Sequence, residues 1–371
     1  MYFRKMLVRD TSSPVHFIIN RSDAIGDLVL SLPVAQVLKK HYPNSTVTFI
    51  VSERNKDVVD HCPFVDSSIL ISKRNKWTFI KKFKAAVKNS HPIFIHLGGS
   101  QLPIITSFFC GVVQRYGLKN KIGGILLNNG MRQSRSRALM SEVEYNLALI
   151  KSLVPEQNLD NSNLLVANPS PDHLKKFEEI KLNSNDDQAA RFLASNKKII
   201  IHPGMTGHTL NWPIRNYARL IKKILDQNPG ISIGISYTSG DLKTLDPFFR
   251  QLEQDNLRLH KNIFEIKGEV WGLSGYLQLL SQATLFIGPS TGPTHLAAAL
   301  GVKVFGFYSP IKTQSSLRWG PISICPEHKI LVPDVICGES QYCAGKDCFY
   351  YECMAKIEVN QVMHHLKHHI V

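Results

Sequence analysis

LFIGPSTGPTHLAAALGVKVFGF, Leu285–Phe307, decides the fold. Leu285 to Gly288 is a short apolar run with the length of a buried strand. A loop holding Ser290, Thr291 and Gly292 follows, then a helix of small residues, then a second apolar run, Val304 to Phe307. A strand that feeds a helix through such a loop places several backbone N–H groups at the helix N-terminus, where the unpaired donors and the helix dipole favour an anion. His295, in the first turn, is within reach of a bound diphosphate or ribose, although a lone histidine is more often structural.

The same alternation extends outward. Lys198 to His202, Ser232 to Tyr237 and Ile263 to Ile266 read as further strands, with helices in the gaps between them. Upstream, Asn158 to Asn196 is polar, carries Pro169 and Pro171, and separates this pattern from an earlier copy of it. In that copy Val15 to Asn20 is a strand, RSDAIGD is a loop, and Leu28, Leu32, Val34, Ala35 and Leu38 recur at helical spacing. Thr46 to Val51, Ser68 to Ile71 and Ile93 to His96 are strands, and a basic helix covers about Trp77 to Lys88. Strands alternating with helices imply parallel sheets. The expectation is an α/β chain of two Rossmann-like parallel-sheet domains, 1–165 and 166–355, with a last helix in 356–371. The length of 371 residues suits two domains, each able to bury a core.

Composition narrows the function. With 43% apolar and 20% charged residues and a mean hydropathy of −0.09, the chain matches a water-soluble globular protein. Arg4, Lys5, Arg9 and Asp10 break the N-terminal apolar residues, so no signal peptide is expected and the expected location is cytoplasmic. Leu296 to Tyr308 is too short to span a bilayer and is interrupted by Gly301 and Lys303. A net charge of +15 implies an anionic partner: nucleic acid, acidic lipid or a phosphorylated substrate. The C-terminal cysteines Cys325, Cys337, Cys343, Cys348 and Cys353 form no CxxC pair, so no metal is expected and reduced thiols are.

In open parallel sheets ligands bind beyond the carboxyl ends of the strands. RSDAIGD, Arg21 to Asp27, has one glycine and lacks the GxGxxG of a dinucleotide site, and no GxxxxGK[ST] occurs anywhere. Asp27 stands where a helix begins and suits a first-turn carboxylate. HPGMTGHTLNWP, His202 to Pro213, offers glycines and threonines that either cradle phosphate or simply turn the chain. Trp212 and Pro213, ahead of an amphipathic helix from Ile214 to Leu225, read as packing and a proline at the first helical position.

Taken together in this order, RSDAIGDLVLSLP, HPG with NWP, and STGPTHLAAALG resemble glycosyltransferase family 9, the ADP-heptose lipopolysaccharide heptosyltransferases and their relatives, over nearly the whole chain. The resemblance implies a GT-B fold: two Rossmann-like domains facing a central cleft, acceptor on the first, donor on the second, the last helix returning to the first. It implies a metal-independent, inverting transfer with no cofactor, the nucleotide sugar being a substrate. Asp27 matches the aspartate of the family's Gly-Asp pair and is expected to be the general base. The expected donor set is Ser22, Thr206, His208, Asp241, Ser290, Thr291, Gly292 and His295. Leu210 replaces a lysine that precedes His-Trp-Pro in lipopolysaccharide heptosyltransferase I, and His208 is the candidate substitute. Ser290-Thr291-Gly292 stands where many members have Asp-Thr-Gly or Asp-Ser-Gly, which removes a carboxylate near the donor sugar.

Two basic clusters, Lys73, Arg74 and Lys76, then Arg132, Arg135 and Arg137, are either a solvated cationic surface or the acceptor site. The resemblance favours a phosphorylated, lipid-linked glycan acceptor, peripheral contact with an anionic membrane surface and a monomer. Three rival readings are a nucleotide-sugar epimerase or hydrolase on the same scaffold, an inactive sugar-nucleotide-binding homologue, and a nucleic-acid-binding protein. The last lacks any nucleic-acid-binding signature, so no nucleic-acid partner is expected.

Overall fold

The computed structural model describes residues 14–88, 90–159, 162–167, 187–205, 207, 209–322, 325–337 and 341–370. The chain divides into two compact units. One comprises the residues up to Arg135 with Glu142–Leu165; the other comprises Ser136–Ser141 and the residues from Val166 onward.

The first unit holds a six-stranded parallel sheet, β1 His16–Arg21, β2 Thr46–Val51, β3 Ser67–Leu70, β4 Ile93–Gly98, β5 Gln114–Leu118 and β6 Asn129–Met131, in the order β3-β2-β1-β4-β5-β6. β1, β2 and β4 are apolar runs buried along nearly their whole length, as strands covered on both faces must be. Phe79 and Phe83 of the helix Lys76–Lys88 are fully buried and join Ile18, Ile50, Phe94 and Ile104 in one core cluster. Burying such a side chain contributes about 1.5–3 kcal/mol. The helical spacing after RSDAIGD resolves into two helices, Ile25–Val29 and Leu32–His41, with Pro33 in the first turn of the second. Lacking an N–H, a proline cannot continue the first helix and is tolerated only in the opening turn of the next.

The second unit repeats the plan with β7 Lys198–Ile201, β8 Ser232–Tyr237, β9 Ile263–Lys267, β10 Leu285–Pro289, β11 Val304–Phe307 and β12 Lys329–Leu331, all pairs parallel, in the order β12-β11-β10-β7-β8-β9. Trp212 is buried rather than exposed to a ligand: it stacks on Phe307 at 4.4 Å and donates from Nε1 to Ile357 O at 2.8 Å. Pro213 caps the following helix, Ile214–Gln227, rather than sitting in its first turn. The resemblance places the last helix, Val359–Ile370, on the first domain. Its apolar residues Val362, Met363 and Leu366 are instead buried in the second unit's core, and it packs on Ile214–Gln227. No described helix is long and apolar enough to cross a membrane.

Each sheet has one place where the chain order reverses. In the first it lies between β1 and β4, in the second between β7 and β10. In doubly wound sheets such a reversal is the usual ligand position, because the loops leaving the two strands run to opposite faces of the sheet. RSDAIGD leaves β1, HPG leaves β7 and STG leaves β10.

Candidate active site

In the first unit the β1–β4 register slips between Asn20, opposite His96, and Arg21, opposite Gly98. That slip sets Arg21 among three carboxylates. Its guanidinium pairs with Asp27, with Asp23 at 2.9 Å and with Glu142 at 3.7 Å, and it donates to Leu97 O at 2.9 Å. Burial works against the Arg21 charge, but Asp27, Asp23 and Glu142 outweigh it and hold the group more firmly protonated than usual. Burial, with the neighbouring Asp27 charge, pushes Asp23 above the normal carboxylate range, although Arg21 opposes the shift. Asp27, in the first helical turn, keeps its side chain 23% exposed, whereas that of Arg21 is 3% exposed. A carboxylate fixed on one side and open on the other is the arrangement a general base needs.

The facing loop is held just as firmly. The Asn20 amide lies 2.8 Å from His96 Nδ1 and donates to Gly98 O and Ser100 O at 3.0 Å. Burial first, then the charges of Arg21, Lys121 and Arg135, lower the His96 pKa to about 3, so the ring is neutral at physiological pH. On the other side of the ring, His96 Nε2 lies 3.3 Å from the Gln101 side-chain amide nitrogen. Ser22 Oγ accepts from Ser100 N at 3.0 Å. Gly99, at φ +83°, packs so closely on Ser22 that a Cβ there would come within 2.5 Å of its Oγ.

In the second unit, Ser290 leaves β10 beside Tyr308, Thr291 caps the helix Gly292–Ala299, and Pro293 occupies its first turn. Pro293 has no N–H, and the N–H groups of Thr294 and His295 are bonded to Thr291 O. Ser290, Thr291 and Gly292 therefore carry the N–H groups this turn can offer an anion. His295 is buried, its Nδ1 has no hydrogen-bond partner among the described residues, and burial lowers its pKa to about 4, leaving a neutral ring. Across the switch point His202 Nδ1 bonds Ser236 Oγ at 3.1 Å, and Ser236 in turn bonds Tyr276. Burial lowers the His202 pKa against the pull of Asp241.

The expected donor residues therefore separate. Ser290, Thr291, Gly292 and His295 lie together on one loop and helix. Ser22 belongs to the first unit, and Thr206 and His208 lie outside the described residues. Asp241 is buried and occupied: its Oδ2 accepts from Thr238 N at 2.9 Å and Thr238 Oγ1 at 2.8 Å, a capping box. It also touches the HPG loop, where a Cβ on Gly204 would come within 2.8 Å of the Asp241 carboxyl carbon. Leu210, in place of a lysine, packs on the second core and lines a cavity of about 720 Å³ together with Cys337, Cys343, Cys348 and Cys353. All seven cysteines are free, and no group of His, Cys, Asp or Glu among the described residues is arranged to hold a metal ion. Of the acceptor candidates, Lys73, Arg74, Lys76, Arg132 and Arg137 are exposed. Arg135 turns inward, paired with Glu142 and bonded to Gln133 at 2.9 Å and Asn146 at 3.2 Å, so it braces the Glu142–Ala148 helix instead.

Residues 93–328 match the family model described as glycosyltransferase family 9 (heptosyltransferase). The chain belongs to glycosyltransferase family 9. Among curated relatives, this family 9 glycosyltransferase is 28% identical to a Haemophilus influenzae protein provisionally described as a glycosyltransferase, covering 85% of this chain and 88% of that protein. It is 22% identical to the lipopolysaccharide core heptosyltransferase OpsX of the same organism, over 82% of each chain. Among solved structures, the ADP-heptose lipopolysaccharide heptosyltransferase II of Escherichia coli superimposes with a TM-score of 0.72 at 20% identity, covering 96% of this chain and 98% of that one. The family 9 chain thus has the GT-B class of fold, its two parallel sheets each carrying one of the two loop sets described above.

Proposed function

We propose that this glycosyltransferase transfers heptose from ADP-heptose, with inversion and without a metal ion, onto a phosphorylated lipid-linked glycan of the lipopolysaccharide-core type. The observation that carries the reading is the placement of RSDAIGD and STGPTH at the switch points of their own sheets. Relatives named as a lipooligosaccharide heptosyltransferase and a lipopolysaccharide core heptosyltransferase support the choice of sugar and acceptor. An E. coli heptosyltransferase solved with ADP supports the nucleotide. No cofactor enters the reaction.

In this reading Asp27 takes the proton of the acceptor hydroxyl as its oxygen bonds the anomeric carbon and the bond to the donor diphosphate breaks. Arg21 orients Asp27 without reaching the substrate. The N–H groups of Ser290, Thr291 and Gly292 hold the leaving diphosphate, as preorganised donors do for developing negative charge. Neutral His295 offers a ring nitrogen to the ribose or the diphosphate. Lys73, Arg74, Lys76, Arg132 and Arg137 are acceptor-side cations, and the lipid anchor would keep the protein, acting as a monomer, at the cytoplasmic face of the membrane.

Calorimetric titration with a panel of nucleoside diphosphates and their sugars tests the donor assignment. ADP and ADP-heptose should bind in the micromolar range, and His295→Ala should weaken them about tenfold, or about 1.4 kcal/mol. Tighter binding of another nucleotide would overturn the heptose assignment. Binding of none would overturn the donor site, and donor turnover without acceptor would favour an epimerase or hydrolase.

A further inference from the structure

Between Asp66 and Glu142 the chain contains no Asp or Glu, but thirteen Lys and Arg. Past β3 this stretch builds β4, β5 and β6 and the helices and turns that connect them, one side of the first unit's sheet. Its surface is also apolar. The helix Leu102–Phe109 buries Ile104 and turns Ile105, Phe108 and Phe109 outward, the last 79% exposed. The turn Ile122–Leu126 packs against this helix and projects Ile122, 94% exposed, and Ile125, 80% exposed.

Cations border these side chains. Arg115 is anchored through Nε to Leu126 O at 2.7 Å, and its guanidinium lies 5.3 Å over the Phe108 ring. Lys121, exposed, precedes Ile122 directly. Single exposed apolar residues are ordinary; a group of five on two touching elements marks a binding surface. We propose that this face docks on an anionic lipid bilayer, its Phe and Ile side chains entering the interface and its Lys and Arg meeting lipid phosphates.

Charge selects that occupant. In a twofold pairing of two copies the same patch would face itself, bringing two carboxylate-free cationic surfaces together. A nucleic-acid backbone would satisfy the cations but leave Phe109, Ile122 and Ile125 in water. The inference deepens the reading of a membrane-bound acceptor and shares its premise that the protein works at a membrane.

The test is flotation of the full chain with phosphatidylcholine vesicles, with and without phosphatidylglycerol. No donor or acceptor is added, so the outcome is independent of which sugar is transferred. The wild type should float only with phosphatidylglycerol vesicles. A Phe109→Ser, Ile122→Ser, Ile125→Ser triple variant should lose at least about tenfold of that affinity at an unchanged melting temperature, since all three side chains stand in solvent. Leu259→Ser with Phe349→Ser, exposed apolar positions of the second unit, should float like the wild type. Undiminished flotation of the triple variant, or no flotation of the wild type, overturns the proposal. So does a wild-type dimer that the triple variant dissolves, because the face would then serve self-association. If flotation fails while transfer to a detergent-dispersed acceptor persists, the docking face falls and the transferase reading stands.

Discussion

Asp27→Asn separates catalysis from architecture at the first switch point. The amide introduced there keeps a carbonyl oxygen facing Arg21, and the guanidinium retains Asp23, Glu142 and Leu97 O. The substituted side chain is partly exposed, so the expected stability loss is about 1 kcal/mol, well short of the roughly 3–5 kcal/mol for stranding a fully buried charge. Proton abstraction, in contrast, is lost. General bases contribute about 10²–10⁴-fold, equivalent to roughly 2.7–5.4 kcal/mol of transition-state stabilisation. Steady-state release of nucleoside diphosphate, followed with acceptor present, should therefore show kcat reduced by about that factor. Calorimetric donor affinity should change little, because the N–H groups of Ser290, Thr291 and Gly292 proposed to hold the diphosphate are left intact by the substitution. A kcat within about tenfold of wild type would refute Asp27 as the base and return it to a role in anchoring Arg21.

Three further outcomes follow from the same geometry. Burial holds the His295 pKa at about 4 against 6.5 for the free side chain, so between those values the unfolded chain binds more protons and stability falls as pH falls. The His295 share of the loss from pH 8 to pH 5 is about 2 kcal/mol, read as the part of the fall in melting temperature that His295→Gln should restore. Gly99→Ala, at φ +83° and against Ser22 Oγ, should cost about 1–3 kcal/mol and lower kcat by displacing the Ser100 loop, checked by thermal melts and turnover. In native protein a thiol reagent should modify exposed Cys343 first, while buried Cys62, pushed up to about 12, reacts only on unfolding; mass spectrometry of partly labelled protein gives the order.

The large pattern is legible in the sequence because buried parallel strands are continuous apolar runs. β5, β6 and β12 are not, since QRYGL, NGM and KIL are short, and the first two are broken by polar residues and glycine. The helix N-terminus at Thr291 is equally legible from hydroxyl, glycine and small residues in order. Asp241 reads as a donor ligand only when Thr238-Ser239-Gly240-Asp241 is overlooked, a stretch that already spells a capping box. His96 and Glu142 give no signal at all. Their roles come from which strand and helix stand beside Arg21, and that is decided by chain segments dozens of residues away. In the sequence Arg135 is one of three equivalent surface cations, and only the position of Glu142 distinguishes it.

Arg21 joins three stretches far apart in the chain: its own loop, the end of β4 and the helix that begins at Glu142. Shaping the Asp27 loop is therefore finished when the unit folds, not when substrate arrives. Reorganisation energy that a free carboxylate in water would spend turning toward the hydroxyl has already been met in the folding equilibrium. Amide hydrogens of all three stretches should accordingly exchange with solvent through one common opening event rather than three independent ones.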